Sequence, residues 1–295
     1  MTDPATLTDA FEANRTHLRS VAYRMLGSLT EADDAVQETW IRVSRAGTGG
    51  VENLGGWLTT VTARVCLNVL RSRRAHPEES FDGHLLEPIV DPAEGTDPEH
   101  EALLADSVGL ALLVVLDTLS PAERLSFVLH DMFAVPFEEI AAITDRTPAA
   151  ARQLASRARR RVQGAAPVPD PDLARQREVV DAFMAASRDG DFDRLVAVLD
   201  PDVVLRAEMA GGARRQTRGA AEVAGQALFW SRTMGRGMER RPVLVNGAAG
   251  VLAVRDGTPM SLMGCTVVDG RIVAIDIIAD RTRLAGMGLD DVVGP

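Results

Sequence analysis

The sequence of 295 residues contains no lysine, so all 32 of its basic residues are arginine. Together with abundant alanine, glycine and valine, this absence indicates a GC-rich genome rather than a particular function. Cysteine is scarce as well, because Cys66 and Cys265 are two isolated residues far apart in the sequence. This scarcity argues against a disulfide-stabilised scaffold and against a metal site with cysteine ligands.

Long hydrophobic runs are also missing. The longest extends from Val108 to Leu116 and is interrupted by Gly109, well short of the ~20 residues that a membrane span needs. The N-terminus lacks the basic start and the apolar core of a signal peptide. We therefore expect a cytoplasmic protein in a reducing environment, and the length allows two or three small domains.

The formal net charge of −10 argues against nucleic-acid binding, but the charges are segregated along the chain. The acids concentrate at 31–38 and 78–101, whereas the arginines form two clusters without intervening acids. Local patches rather than net charge decide binding, so two basic surfaces are expected. The first cluster is Arg64, Arg71, Arg73 and Arg74, and the second is Arg152, Arg157, Arg159, Arg160 and Arg161.

The segment 137–162 has the pattern of a helix, a tight turn and a second, basic helix. Thr147 is a favourable N-cap and Pro148 a favourable first helical residue, so the start of the second helix is well marked. An α-helix fits the major groove of DNA, where Arg and Gln bond base edges, and the pattern indicates a helix-turn-helix. An Arg-rich helix that is simply solvated is the alternative. The apolar stripe is Ala151, Leu154, Ala155, Ala158 and Val162, and the opposite face is Arg152, Gln153, Ser156, Arg157 and Arg160.

Helical periodicity covers about 7–74 and 101–163. In the first stretch we expect a capping box at 30–33, a flexible Gly-rich loop between Gly47 and Gly56, and a third helix that starts near Trp57. The linker at 76–98 is dense in acids and contains four prolines, so little regular structure is expected there. Residues 120–123, Ser-Pro-Ala-Glu, predict a further capping box, which opens a helix through His130.

The C-terminal segment changes character after the prolines at 167, 169 and 171. Helical patterns at 173–187, 192–199 and 220–233, with one strand-like segment at 203–206, give way to strand-like segments beyond Pro242. Asp256-Gly257 and Asp269-Gly270 are pairs that favour two-residue hairpin turns. Helices followed by a curled antiparallel sheet form an α+β arrangement.

Two motifs, in this order, resemble the extracytoplasmic-function RNA polymerase sigma factors. Residues 29–40 and 56–73 look like region 2 of that family, and residues 119–157 look like its region 4. Residues 172–287 resemble a SnoaL-like cone domain, which a subgroup of these sigma factors carries as a C-terminal extension. The resemblance implies a multidomain protein with two all-α sigma domains, a region 2 helical bundle and a region 4 helix-turn-helix, followed by an α+β SnoaL-like cone domain. We expect region 2 at 1–76, a Pro- and acid-rich linker at 77–100, region 4 at 101–165 and the SnoaL-like domain at 166–295.

Because the linker is long and rich in proline and no partner sequence is recognisable, we expect a C-terminal domain that regulates in cis. The resemblance implies a sigma factor that binds core RNA polymerase and directs promoter-specific initiation. Its partners would be the polymerase and promoter DNA, as a duplex −35 element and a melted −10 element. The polymerase-binding candidates are Asp33, Asp34, Gln37 and Glu38. The −10 candidates are Arg64, Asn68, Arg71, Arg73 and Arg74. The −35 candidates are Arg152, Gln153, Ser156 and Arg157 for base edges and Arg160 for phosphate.

Two other classes stay open from the residues alone. A ligand-responsive helix-turn-helix repressor would explain 137–162 but not the region 2 motif. A cyclase-like enzyme with a DNA-binding appendage would need an acid-lined cavity, for which Asp181, Asp202, Glu208 and Asp276 are the acids to consider. Surface or hairpin positions explain these acids more simply. The sequence shows no catalytic set and no histidine pair at metal-ligand spacing, so we expect neither an enzyme nor a cofactor or metal. Apolar residues of the C-terminal segment could line a cavity for a small ligand or form an ordinary core, namely Phe183, Met209, Phe229, Trp230, Met260 and Met263.

Overall fold

The computed structural model describes residues 4–47, 51–75, 86–95, 100, 109–165, 169–235 and 237–293. The chain divides into two compact units. The first comprises Met1–Glu87, Pro98–Asp106 and Leu112–Ala166, and the second comprises Pro88–Asp97, Ser107–Ala111 and Pro167–Pro295. The predicted linker is therefore divided between the units at Glu87 and Pro88, and the predicted domain boundaries stay predictions.

The first unit is built from helices. They are α1 (Pro4–Leu26), α2 (Leu29–Ala46), α3 (Leu54–Ala75), α4 (Leu110–Thr118, whose first two residues belong to the second unit), α5 (Pro121–Phe127), a π-helical turn (Val128–Met132), α6 (Phe137–Thr144) and α7 (Pro148–Ala165). Ser120 caps α5 in the predicted capping box with Glu123. The helix predicted to run through His130 changes to the π-helical turn after Phe127.

The start of α2 differs from the prediction. Gly27 ends α1 with a φ of 80°, and Ser28 rather than Thr30 is the N-cap, because its Oγ accepts the Glu31 N–H at 3.2 Å. Ser28 has extended backbone angles, as a cap requires, and the helix begins at Leu29. The capping box expected at 30–33 was wrong.

Helix α3 also begins earlier than predicted. Asn53 accepts the Gly56 N–H at 3.0 Å, and this cap lets Gly55 and Gly56 form the first turn of the helix. They were predicted to lie in a flexible loop that ended at Trp57. Gly49 and Gly50, from the same predicted loop, lie outside the described residues.

The second unit is a seven-stranded sheet with helices. Its elements are β1 (Val90–Pro92), α8 (Leu173–Asp189), α9 (Phe192–Val198), β2 (Leu199–Glu208), a 3-10 turn (Ala210–Gly212), β3 (Arg214–Arg218), α10 (Ala220–Met234), β4 (Glu239–Val245), β5 (Ala248–Arg255), β6 (Thr258–Val268), β7 (Arg271–Ile278), α11 (Arg281–Gly286) and α12 (Asp290–Val293). The strand order is β1-β4-β5-β6-β7-β2-β3. Every neighbouring pair is antiparallel except β2 and β7, which are parallel, so the antiparallel prediction fails at this one pair.

Both predicted hairpin turns are present. Asp256 and Gly257 join β5 to β6, and Asp269 and Gly270 join β6 to β7, with positive φ at all four residues. Asn246-Gly247 forms a third turn of this kind between β4 and β5. Two consecutive positive φ values are required by the tight turn that matches strand twist, which explains the choice of Asn, Asp and Gly.

Two strands, β1 and β3, were not expected. Val90 to Pro92, inside the linker predicted to lack regular structure, pairs with β4 as an edge strand. Its proline lies where a missing N–H is tolerated, at the edge of the sheet.

One face of the sheet carries the core of this unit. Phe183 of α8, Leu195 of α9 and Val223 of α10 pack with Leu205 and Ile275 of the central strands. Met263 belongs to the same core, so it and Phe183 are core residues, whereas Phe229 is 57% exposed.

Candidate nucleic-acid and polymerase interfaces

Helix α7 has the two faces that its sequence predicts. Thr147 caps it by accepting the Ala150 N–H at 3.2 Å, and Pro148 is its first residue. The apolar stripe is buried, apart from Val162, which is half-buried. The residues on the other face are exposed, namely Arg152, Gln153, Ser156, Arg157 and Arg160. The helix thus presents an unbroken row of arginine and amide groups to solvent.

Acids from neighbouring helices nevertheless reach this row. Glu123 of α5 lies 3.8 Å from Nε of Arg157 and 3.5 Å from Nη1 of Arg161, and Asp131 pairs with Arg159. The Arg152 guanidinium lies over the ring of Phe137, 5.1 Å from its centroid. Sequence spacing within α7 could not reveal these acids, since they come from other elements.

The Glu123 carboxylate has two roles in one position. Its Oε2 accepts hydrogen bonds from the backbone N–H of Ser120 at 3.1 Å and from the Ser120 hydroxyl at 2.7 Å. Burial alone would raise its pKa, but the Ser120 hydrogen bonds and the charges of Arg161 and Arg157 outweigh burial and lower it. The Glu123 carboxylate therefore stays ionised and partly neutralises the basic face of α7.

The basic end of α3 is only partly open to solvent. Arg64, Asn68, Arg71 and Arg74 are exposed. Arg64 donates from Nη2 to the carbonyl oxygen of Ala142 in α6 at 3.1 Å. Arg73 departs from its predicted place on the open surface, because it forms an ion pair with Glu31 and its side chain is 17% exposed.

The acidic face of α2 is open to solvent as predicted. Asp33, Asp34 and Gln37 are exposed and Glu38 is half-exposed, while Ala35 and Val36 face the core. Two of the acids already have basic neighbours. Asp33 accepts from Arg19 at 2.6 and 3.0 Å, and Glu38 accepts from Arg42 at 2.7 Å.

A buried arginine joins the N-terminal helices to those of the helix-turn-helix. Arg124 of α5 is 2% exposed, and its Nε donates to the carbonyl oxygen of Arg24 in α1 at 3.1 Å. Burial lowers the pKa of Arg124 to about 10, although Asp117 opposes the shift. Sequence reasoning missed this contact, since Arg124 looked like an ordinary member of a helix motif.

The linker also makes contacts that sequence reasoning missed. Within the first unit, Glu87 donates its N–H to the carbonyl oxygen of Gly27 at 2.7 Å and accepts from Ser28 at 2.6 Å. Within the second unit, Asn246 holds Ile89 by two hydrogen bonds. The Ile89 N–H donates to Asn246 Oδ1 at 2.7 Å, and the Asn246 N–H donates to the Ile89 carbonyl at 2.8 Å.

Of the four acids considered for a cavity, two form buried ion pairs and two lie at exposed positions. Asp276 pairs with Arg206 at 3.1 Å and Glu208 with Arg283 at 2.5 Å, on the sheet face opposite the helical core. Both pairs are largely buried, which corrects the expectation that these acids lie on the surface or in a hairpin. Burial raises the pKa of Asp276, and Arg206 offsets part of that shift. Asp202 is exposed and pairs with Arg218, and Asp181 is exposed.

The described ranges contain neither a candidate metal site nor a candidate membrane span. Within them, no three His, Cys, Asp or Glu side chains are grouped as metal ligands would be. No helix in the described part of the chain has both the length and the apolar character for a membrane span.

Comparison with known proteins identifies relatives that share this architecture. The family model Sigma-70 region 2 matches residues 10–76, and Sigma-70, region 4 matches residues 109–162. The ECF RNA polymerase sigma factor SigJ of Mycobacterium tuberculosis is 40% identical over 296 residues, which cover 95% of this chain and 94% of that protein. A probable ECF sigma factor of the same species, SigI, is 39% identical over 197 residues, which cover 66% of this chain and 67% of SigI. The crystal structure of M. tuberculosis SigJ superposes with a TM-score of 0.75 at 36% identity, covering 96% of this chain and all of that one.

Helices of regions 2 and 4 with a C-terminal SnoaL-like α+β domain define an RNA polymerase sigma factor. Within that class, the chain belongs to the extracytoplasmic-function family, and its similarity to SigJ extends through the C-terminal domain. The protein therefore directs core RNA polymerase to promoters to initiate transcription, and it belongs to a family of proteins that are not enzymes.

Proposed function

We propose that the exposed face of α7 contacts the −35 element in the major groove. The observation that carries this proposal is the separation of the two faces of α7, with a buried apolar stripe opposite exposed Arg and Gln side chains. Arg152, Gln153, Ser156 and Arg157 lie in the first half of the helix, where a recognition helix meets base edges. Arg160 lies further on and contacts phosphate, which positions the helix without specifying sequence.

The exposed end of α3 binds the melted −10 element in this proposal. Arg64, Asn68, Arg71 and Arg74 supply the basic groove that single-stranded DNA needs. Arg73 joins them only after its ion pair with Glu31 breaks. Arg64 must also leave the Ala142 carbonyl, which joins α3 to α6. DNA binding by α3 is therefore linked to a rearrangement between α3 and the helix-turn-helix.

The exposed face of α2 docks on core RNA polymerase. Asp33, Asp34, Gln37 and Glu38 form a polar, acidic face over a buried apolar one. Charge complementarity of this kind speeds association and selects a basic partner surface. Since core polymerase is a cytoplasmic enzyme, we infer that the protein acts in the cytoplasm.

The C-terminal domain regulates promoter binding in cis. This part of the proposal is supported by the linker, because β1 lies between regions 2 and 4 in sequence and yet is a strand of the C-terminal sheet. Asn246 forms two hydrogen bonds with Ile89, the residue before that strand. Any change in this domain therefore acts directly on the segment that joins the two DNA-binding regions. A small ligand of the C-terminal domain would act by this route, and its presence stays a prediction.

Reconstituted transcription tests the proposal. Purified full-length protein and core polymerase should initiate at a promoter with matched −35 and −10 elements, and substitution of either element should abolish initiation. Binding to duplex DNA without any initiation would instead favour a helix-turn-helix repressor. The control is Arg45→Gln, an exposed arginine of α2 outside the three proposed surfaces, which should initiate like the wild type.

A further inference from the structure

A cavity of about 270 Å³ lies between the end of α3 and the start of α5, within the first unit. Among the residues that the structure describes, its lining includes three arginines, Arg73, Arg74 and Arg124, and one acid, Asp117. The rest of the wall is Leu70, Thr118, Leu119 and Pro121. Arg73 and Arg74 are also −10 candidates, but Arg124 belongs to neither proposed DNA surface, so promoter contacts alone do not account for the cavity.

Arg124 is the buried member of this set. Its side chain is 2% exposed, Nε donates to the Arg24 carbonyl, and Nη1 lies 3.5 Å from Asp117. Nη2 is buried and has no acceptor among the residues that the structure describes. A buried donor without an acceptor is destabilising, and more so on a charged group. Arg124 therefore has hydrogen-bonding capacity that the protein itself does not satisfy.

Within the described part of the chain, the charges around the cavity do not balance either. Glu31 pairs with Arg73 and Asp117 lies beside Arg124, so these two carboxylates face three guanidinium groups. Nη1 of Arg73 is a second buried donor without an acceptor in the described structure. One negative charge in the cavity would complete this charge balance, and its oxygens would accept hydrogen bonds from the exposed Arg74 guanidinium.

We propose that this cavity binds a small phosphate-type anion, held by Arg73 and Arg74 of region 2 and Arg124 of region 4. Guanidinium groups present planar pairs of donors that match phosphate oxygens. The volume is slightly below the ~300 Å³ lower end of small-molecule sites, which suits inorganic phosphate or one phosphorylated group. Because the anion touches both regions, its binding stabilises their packing, and it competes with the −10 strand for Arg74.

Calorimetric titration of the full-length protein tests this site. Inorganic phosphate and adenosine diphosphate are the two probes, each in phosphate-free buffer at constant ionic strength maintained with chloride. We expect saturable binding with one site per chain and a melting temperature that rises with ligand concentration. Tighter binding of the diphosphate identifies a phosphorylated metabolite as the ligand class, and equal or weaker binding identifies phosphate itself.

Variants assign the binding to the cavity. Arg74→Gln removes an exposed side chain and should weaken binding at least about fivefold, since it deletes one of three charged donors. Arg124→Met should abolish binding, provided that circular dichroism shows a folded protein. Arg45→Gln, exposed on α2, should bind like the wild type. Absence of saturable binding to the folded wild type, or equal affinity in Arg74→Gln, would overturn the proposal. No DNA or polymerase is present, so the result is independent of the proposed promoter contacts.

Discussion

Oε1 of Glu123 lies 3.8 Å from Nε of Arg157, so the residue that completes the capping box of α5 also faces an arginine of α7. The same carboxylate lies 3.5 Å from Arg161. In the proposed complex, promoter DNA competes with this acid for both guanidinium groups. The unbound protein, in which this contact is formed, is therefore the reference state for the proposed DNA binding by α7.

Replacement of Arg157 by alanine should weaken binding to the −35 element by about 1–3 kcal/mol, since a base-edge contact is lost. Discrimination should relax at one base position only. Arg160→Gln should instead weaken binding similarly on all sequences and reduce the salt slope by about one, as expected for a phosphate contact. Fluorescence anisotropy on a set of singly substituted duplexes separates the two patterns. Equal loss on every duplex for Arg157→Ala would place this residue on phosphate.

Glu123→Gln should increase affinity for duplex DNA severalfold, because it removes the acid that faces Arg157 and Arg161 while a side-chain oxygen still accepts from Ser120. Ser120→Ala is the matched control. It removes the other half of the capping box, costs about 1 kcal/mol of stability and leaves the charge in place. Unchanged DNA affinity in Glu123→Gln would mean that the ion pairs with α7 do not compete with DNA.

The lowered pKa of Glu123 also predicts a pH dependence. A carboxyl group whose pKa is lower in the folded state stabilises that state above its unfolded pKa of about 4.3. This stabilisation is lost as the pH falls through the lower, folded value. Denaturant midpoints of wild type and Glu123→Gln should therefore converge as the pH falls from 7 towards 3. A difference between the two proteins that does not vary with pH would contradict the assignment.

Asp34→Asn should weaken binding to core polymerase by about 0.2–1 kcal/mol, the range for an exposed ion pair, and the loss should shrink at high salt. Asp33→Asn should have a smaller effect, because Asp33 already accepts two hydrogen bonds from Arg19. Competition with a labelled sigma factor for core polymerase measures both. A larger loss for Asp33→Asn would show that its contact with Arg19 opens on binding.

Asn246→Gly should change promoter activity of the full-length protein, since it removes the side chain that accepts from Ile89. Glycine retains the φ of 50° at this position, so the turn itself is preserved. Asn246→Asp keeps the acceptor oxygen and serves as the control. Reconstituted transcription with each protein gives the comparison. If all three proteins initiate equally, the hydrogen bonds between Asn246 and Ile89 have no regulatory role.

Several local features followed from the sequence because each depends on neighbouring residues. The cap at Thr147, the capping box at 120–123 and the hairpin turns at Asp256 and Asp269 need only the right side chains at fixed offsets. The two faces of α7 follow from helical periodicity alone. The cap of α2 was predicted two residues late, because Ser28 and Thr30 are both acceptable N-caps and local sequence does not choose between them.

The features that sequence reasoning missed join residues far apart along the chain. Prolines and acids near Val90 argue against a strand at this position. The strand forms because β4 has an unpaired edge. Burial of Arg73 and Arg124 also needs partners that no periodicity reveals, since Glu31 and the Arg24 carbonyl come from other helices.

The sequence by itself determined the family, the order of the regions and the basic and acidic faces, since motifs and periodicity are properties of adjacent residues. Only the tertiary structure decided which charges are open to a partner. Four charged residues lie on predicted binding faces, yet each contacts another element of the protein. They are Asp33, Arg73, Arg157 and Arg64. The physical reason is that a side chain's availability depends on every element packed around it, and these elements come together only in the folded chain.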